Sequence, residues 1–222
     1  MSKTGCENTT MLTEYRTIIG GHFQQPLTTI VYQLVRRDRE GTPTAQNAAD
    51  LDWTLSGILL TVAMFESYLR WVQQQPSSAG LRGDGLGFYE ELQVIHKTLP
   101  DVGEAFVVRN VIAHGHVWTV ATELDSKGKL TASHELGRRD KPFIRHVSAN
   151  GTSTTPNDLS LIPTLVSRRH FRTILELIIG AMRTMIQLGL LLPQSLNSHP
   201  IWPDGSGRRI QFELLPSEIR TD

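Results

Sequence analysis

Hydrophobic residues recur at intervals of three and four along two long stretches of the chain. The spacing runs 4,3,4,3,4,3 from Leu51 to Val72 and 3,4,3,4,3,4 from Phe171 to Leu192. This period places the apolar side chains on one face of an α-helix. The pattern therefore predicts two long helices, the second spanning about 167–191. Their two apolar seams can form the core of one chain or the interface of a homodimer, and the sequence does not separate these alternatives.

Three shorter helical patterns accompany the long ones. The first begins near Met11, is interrupted at Gly20–Gly21, and resumes near Pro26. The second spans about 88–99. Asp101 is a residue type favoured at helix N-caps, so we expect it to start a third helix that continues to His114.

A change of period after His114 predicts β-structure. Residues 116–124 alternate and are rich in β-branched types, 125–128 form a turn, and 130–136 return as a second strand. The fold class predicted is therefore all-α, a helical bundle with a β-hairpin-like insertion at about 116–160 before the last long helix.

The same patterns divide the chain into three parts. Residues 1–10 are polar and are expected to be a flexible N-terminus. Residues 11–192 form a single helical domain that contains the insertion. Residues 193–222 are rich in proline and are expected to be an irregular tail, with Trp202 as an anchor.

Composition excludes several classes of protein. The 222 residues carry 22 basic and 22 acidic side chains, so broad, non-specific affinity for nucleic acid is not expected, although a local basic site is not excluded. The single cysteine excludes a disulfide scaffold and a thiolate metal cluster. No metal-ligand spacing is present, and we expect no metal and no cofactor. The apolar run Leu177–Leu192 is interrupted by Arg183 and Gln187, so we expect a cytoplasmic protein without a membrane span.

The candidate chemistry lies in the segment Arg109-Asn110-Val111-Ile112-Ala113-His114-Gly115. On a straight helix, residues five apart point about 140° away from each other. Gly115 is a natural residue after a helix C-cap, which would place His114 where the backbone leaves helical geometry. Asn110 and His114 are four apart and share a face. Arg109, Asn110 and His114 can therefore converge at a helix end.

Such a cluster is suited to RNA cleavage. An imidazole such as that of His114 can accept a proton near neutral pH and return it. A guanidinium such as that of Arg109 can clamp a phosphate and stabilise its developing charge. The two are sufficient for attack of a ribose 2′-OH on the adjacent phosphate without metal. The structural alternative is a capped helix end, in which both side chains bind the last carbonyl groups.

The Arg-Asn-x-x-Ala-His segment resembles the motif of the HEPN superfamily, and Phe65-Glu66-Ser67-Tyr68-Leu69 resembles the segment of that family that carries an acidic residue. The resemblance implies a helical bundle and a metal-independent endoribonuclease of the toxin or phage-defence kind. Arg109 and His114 would be catalytic, with Asn110 and Glu66 in support. It also implies RNA as substrate, a homodimer with two Arg/His sets facing one cleft, and a partner protein that restrains activity.

One feature departs from that resemblance. One toxin branch of the family has a tyrosine, the acceptor of an adenylyl group, two residues after the histidine, where this chain has His116. Regulation by that route is therefore not expected.

The same Arg-Asn-x-x-Ala-His segment also resembles helical regulators of the mannitol-repressor type. The alternative function is therefore a non-catalytic helical regulatory or protein-interaction module.

Basic side chains outside the motif are candidates for binding RNA phosphates. They lie at the end of the first helix and in the first turn of the last helix, where positive charge opposes the helix dipole unless an anion binds there. These candidates are Arg36, Arg37, Arg168, Arg169 and Arg172.

Overall fold

The computed structural model of the chain describes residues 19–39, 48–114, 120–124, 130–134, 155, 157–161 and 165–221. Most of these residues are helical, which confirms the all-α fold class. The elements in chain order are a short 3₁₀-helix Gly20–Phe23, helices α1 (Gln24–Arg39), α2 (Ala48–Gln73), α3 (Leu86–Ile95) and α4 (Gly103–His114), strands β1 (Val120–Leu124) and β2 (Leu130–His134), and helix α5 (Arg168–Gln187).

Helix α2 is the centre of the bundle. It packs against α1, α3, α4 and α5, and its contact with α5 is the most extensive among the helices. The two predicted seams meet inside this one chain and are confirmed as core. The buried members are Ile58, Val62, Phe65, Leu69 and Val72 from α2, with Phe171, Ile174, Ile178, Ala181 and Met185 from α5.

Gly57 determines how closely α2 and α5 approach. A Cβ atom at this position would lie 2.5 Å from the Phe171 ring, far inside van der Waals contact. The ring therefore occupies the space that any larger residue at position 57 would need. Because Gly57 falls in the middle of α2, its unfavourable helix propensity is outweighed here by the packing that it permits.

Helix α5 ends earlier than the sequence pattern indicates. It stops at Gln187, and Gly189 follows in the left-handed region with φ +72°. The Leu190 N–H donates to the Met185 carbonyl at 2.8 Å, the bond of a Schellman cap. The prediction that the helix reaches residue 191 is therefore wrong, and Leu192 is exposed rather than part of the seam.

The helices flanking the candidate motif are close to their predicted positions. Helix α3 starts two residues before the predicted 88 and ends at Ile95 rather than at residue 99. The Asp101 Oδ1 accepts the Gly103 N–H at 2.8 Å, which confirms its capping role. Helix α4 ends at His114, as predicted.

The β-hairpin is confirmed in its paired residues. Strands β1 and β2 are antiparallel, with Leu124 opposite Leu130 and Val120 opposite His134. The turn at 125–129 and most of the remaining insertion lie outside the described residues. The predicted N-terminal segment 1–10, the helical pattern at Met11 and the helix end at 41–43 also lie outside them.

The C-terminal tail has no long element, as predicted, but it completes the core. Trp202 is 1% exposed, and its ring makes an edge contact with Tyr32 at 5.5 Å between centroids. The Gln24 amide donates to the Ser195 carbonyl at 2.7 Å, which ties the tail to the start of α1. Short 3₁₀-helices cover Pro193–Ser195 and Phe212–Glu218.

Among the residues that the structure describes, one helical segment is long and apolar enough to cross a membrane by length and composition. It is Asp50–Gln73 in α2, and half of it is buried inside the bundle. This is not the Leu177–Leu192 run that the sequence singled out. The packing of α2 against four other helices accounts for its apolar character without a lipid environment.

Candidate functional site

Arg109 and Glu66 form an ion pair between α4 and α2. Arg109 Nη2 donates to Glu66 Oε1. The neighbouring α4 side chains are buried and hold the helix in the bundle, so that Arg109 projects at its edge; these are Phe106, Val107, Val108 and Val111. The sequence placed Glu66 beside the seam, within reach of a basic partner, and the structure identifies that partner as Arg109.

The guanidinium of Arg109 is held on one side and accessible on the other. Its side chain is 20% exposed and that of Glu66 is 31% exposed. The guanidinium carbon lies 5.6 Å from the centroid of the Phe106 ring, one turn earlier on α4. Its Nε is buried and bonds to no described residue. The pair therefore combines a fixed orientation with contact to solvent, which a group that binds a substrate anion requires.

Gly85 brings a third element against this pair. It caps the start of α3 with φ +52°, a conformation that favours glycine. A Cβ atom there would lie 3.1 Å from Glu66 Oε1 and 3.7 Å from the Phe106 ring. The backbone before α3 therefore approaches the carboxylate more closely than most residues allow.

The other motif residues lie at the end of α4. Asn110 is exposed. His114 is the last helical residue, and its side chain lies outside the described part of the structure, as do Gly115 and His116. Convergence of His114 with Arg109 therefore stays a prediction. What the structure places together is Arg109 with Glu66.

A groove of about 550 Å³ runs along α2 next to this ion pair. We call it the Glu66 groove, because Glu66 lines it and also bonds to Arg109. Its other wall comes from the 3₁₀-helix that precedes α1. The lining residues are Ile19, Phe23, Ala63, Glu66, Ser67, Arg70, Trp71 and Gln74.

Two of the predicted RNA-binding arginines have a partner inside the protein. Arg168 Nη2 bonds to Asp50 Oδ2 at 2.6 Å, and Arg37 Nε lies 3.0 Å from Asp50 Oδ1. The Arg168 and Asp50 side chains are each only 9% exposed. We call Arg37, Asp50 and Arg168 the Asp50 cluster. It joins α1, α2 and α5, so the position of these two arginines is explained without RNA.

The remaining basic candidates lie at the surface. Arg36 is exposed. Arg169 pairs with Asp158 at 3.1 Å, and Arg172 pairs with Glu176 at 2.8 Å on the same helix. Exposed pairs of this kind contribute little to stability and exchange readily with other anions. Phosphate binding by these three residues stays a prediction.

Two buried tyrosines are poor candidates for acid–base chemistry. Burial raises the pKa of Tyr68 to about 12. Burial, and secondarily the negative charge of Asp101, raises the pKa of Tyr89 still further. The Tyr89 hydroxyl donates to the Pro100 carbonyl at 2.8 Å. Both hydroxyls therefore stay protonated near neutral pH and act as structural donors.

Metal ligands do not gather within the part of the chain that the structure describes. No group of three or more His, Cys, Asp or Glu side chains there could hold a metal ion.

The site residues that the sequence analysis missed are Phe106, Gly85 and the walls of the groove. The only signal for them in the sequence was the glycine-rich stretch 80–87, which indicates the end of a helix and nothing more. The contacts themselves join segments that are far apart in the chain, so they leave no local pattern in the sequence.

Comparison with known proteins finds no match for this chain among protein-family models, curated proteins or solved structures.

Proposed function

We propose that the protein is a metal-independent endoribonuclease that cleaves RNA by 2′-OH attack and leaves a 2′,3′-cyclic phosphate. The observation that carries this proposal is the partly exposed Arg109–Glu66 pair, five residues before His114 at the end of α4. The biological setting that we propose, a toxin or phage-defence protein, rests on the HEPN resemblance of the motif alone.

In this mechanism the chain supplies a base, an acid and a fixed positive charge. The neutral imidazole of one His114 takes the proton of the 2′-OH, and the oxygen attacks the adjacent phosphorus. Arg109 stabilises the extra negative charge on the non-bridging oxygens. The bond to the 5′-oxygen breaks, and an imidazolium, the second His114 of a dimer, protonates that leaving oxygen. Every proton is accounted for, and no metal is needed.

Glu66 is compatible with this role for Arg109. A guanidinium has five N–H donors, and Glu66 accepts from Nη2 only. Donors therefore remain for a phosphate oxygen, while the carboxylate prevents the long side chain from sampling other rotamers. We assign Glu66 the role of a positioning residue and Asn110 that of an exposed supporting donor next to Arg109.

A homodimer completes the proposed site, because one Arg/His pair offers a single proton-transfer group. The two helical seams cannot form its interface, since they are buried within one chain. The dimer therefore uses another surface, near the end of α4, that brings two copies of His114 to one cleft. Light scattering at micromolar concentration tests it, and a fully active monomer contradicts it.

The ion pair also supports the second candidate, a non-catalytic regulatory or interaction module. An arginine bonded to a carboxylate and resting on an aromatic ring is a common way to join two helices. In that case Arg109 and Glu66 hold α4 to α2 and have no substrate.

Cleavage of labelled RNA by the purified protein separates the two candidates. We expect cutting in excess EDTA, with products that end in a cyclic phosphate. His114→Ala should reduce the rate by about 10²–10⁴ through loss of proton transfer. His116→Ala is the matched control, two residues along the chain, and should retain activity.

Two results would reject the Arg109/His114 mechanism. One is a His114→Ala protein that is folded and cuts RNA like the wild type. The other is cleavage that EDTA abolishes and magnesium or manganese restores, since a metal-dependent reaction does not use the Arg/His pair in this way.

A further inference from the structure

The Glu66 groove has the dimensions and lining of a site for a flat heterocycle. Its volume of about 550 Å³ falls within the range of small-molecule sites. Phe23 and Trp71 line it while packing partly on the core, so their rings are held in place. Ala63 also lines the groove and takes up little of its space because its side chain is a single methyl group. Aromatic walls of this kind are what proteins use to stack unpaired bases.

Polar side chains line the groove together with the apolar ones on the same face of α2. The lining positions of this helix are spaced at three and four residues, which puts them in one stripe. Four of them carry donors or acceptors: Glu66, Ser67, Arg70 and Gln74. Apolar walls with a few polar groups along one edge suit a ligand that combines a ring face with a hydrogen-bonding edge.

Glu66 determines which edge is accepted. Its Oε1 bonds to Arg109, and a carboxylate offers about four acceptor positions, so acceptor capacity remains on the groove side. Among the four RNA bases, guanine alone has two adjacent N–H donors, N1 and N2, on its Watson–Crick edge. That donor pair matches a carboxylate, whereas adenine and cytosine place an acceptor next to their donor.

Arg70 can supply a complementary donor. Its side chain is 69% exposed, and its contact with Asp84, whose side chain is 81% exposed, is long, at 3.8 Å. Such a pair is weak and leaves the guanidinium mobile. Arg70 lies one turn from Glu66 on α2, within reach of a ligand in the groove, where it can donate to a base oxygen or ring nitrogen.

We infer that the Glu66 groove binds a guanine base of the RNA next to the phosphate that Arg109 contacts. This inference deepens the proposed nuclease, because one carboxylate joins base binding to the catalytic guanidinium. Cleavage is then selective for guanosine at the position seated in the groove.

Binding of the four nucleoside 5′-monophosphates, measured by calorimetry, tests the groove without any need for catalysis. We expect GMP to bind about tenfold or more tightly than AMP, CMP or UMP. Ala63→Phe should abolish GMP binding because the added ring fills the groove. Ser56→Phe is the control, since it adds the same ring at an exposed position two turns earlier on α2.

A second variant keeps the inference falsifiable if Ala63→Phe fails to fold. Glu66→Gln keeps the shape of the side chain and replaces one acceptor by a donor, so GMP should lose its advantage over the other nucleotides. Equal binding of all four, no binding at millimolar concentration, or GMP binding that survives either folded variant overturns the inference. RNA cleavage without base preference would contradict guanine binding in the groove but not the proposed nuclease. Selective GMP binding without RNA cleavage would contradict the nuclease but not guanine binding in the groove.

Discussion

Helix α2 carries a carboxylate bound to arginine near each of its ends, and the two sites differ in burial. At the start of the helix, the Asp50 side chain is 9% exposed, bonds to Arg168 and forms an ion pair with Arg37. Sixteen residues later, Glu66 is 31% exposed and bonds to Arg109. The chemistry is the same at both ends, so the difference lies in what surrounds the charges.

Burial gives the two sites different consequences. Charges removed from water are tolerated only while they are paired, so the Asp50 cluster fixes the relative positions of α1, α2 and α5. A pair that keeps contact with solvent contributes little to folding, and its arginine stays available to another anion. The contrast favours a structural role for the Asp50 cluster and a functional role for Arg109, and four experiments can break or sharpen it.

The largest expected effect is on activity at the exposed end. Arg109→Ala should lower the rate of RNA cleavage by about 10²–10³, as removal of a charge-stabilising donor does in other enzymes. The melting temperature should change little. Arg183→Ala, which removes a surface arginine of α5 that has no proposed role in RNA binding, is the control and should cut normally. A large drop in melting temperature for Arg109→Ala would instead make the pair structural.

The next effect is on stability at the buried end. Asp50→Asn removes the negative charge that faces the buried Arg168 and the half-buried Arg37, and it should cost about 3–5 kcal/mol of unfolding free energy. Asp52→Asn, two residues later and exposed, should cost almost nothing. Urea denaturation measures both. If Asp50→Asn is as stable as the control, burial does not distinguish the two ends of α2.

The close approach of α2 and α5, which lies between the two ion-pair sites on α2, can be tested with a pair of glycines. Gly57→Ala pushes a methyl group into the Phe171 ring and should cost about 1–3 kcal/mol. In Gly180→Ala the new methyl group meets nothing within 4 Å, so the change should stabilise α5 by about 0.5–1 kcal/mol. Thermal unfolding compares them. Equal effects would show that α2 and α5 do not depend on the close approach at Gly57.

The smallest effect concerns pH at the start of α5, next to the Asp50 cluster. Burial lowers the pKa of His170, and the positive charge of the neighbouring Arg169 lowers it further, while the nearby Asp158 opposes the shift. The His170 Nδ1 accepts the Ser167 N–H at 2.8 Å. The unfolded chain therefore binds the proton more readily than the folded one. The free energy of unfolding is therefore not reduced by His170 above the pKa of histidine in the unfolded chain, near 6.5, and it declines as the pH falls below that pKa.

His170→Gln should weaken this pH dependence. Glutamine keeps a neutral acceptor at the third helical position, where it can still bond to the Ser167 N–H at every pH. Urea titrations at about pH 5 and pH 7.5 give the difference. An unchanged slope in the variant would place the pH sensitivity elsewhere in the protein.

The sequence by itself determined the helices and one partner of the site. Spacing of three and four residues specifies which face of α2 and α5 is apolar. The hydrophobic effect favours burial of that face whichever element packs against it. The capping residue Asp101 and the end of α4 at His114 could also be predicted, since capping is local chemistry. Glu66 was predicted to reach a basic partner because it lies beside the seam.

Only the tertiary structure decided which distant groups meet. Nothing local distinguishes Arg109, which bonds to a partly exposed carboxylate 43 residues away, from Arg168, which is buried against Asp50 118 residues away. Gly57 likewise reads as a poor helix residue until the Phe171 ring is seen against it. Burial, and with it the energetic weight of a charge or a methyl group, is set by neighbours that the chain supplies only when it folds.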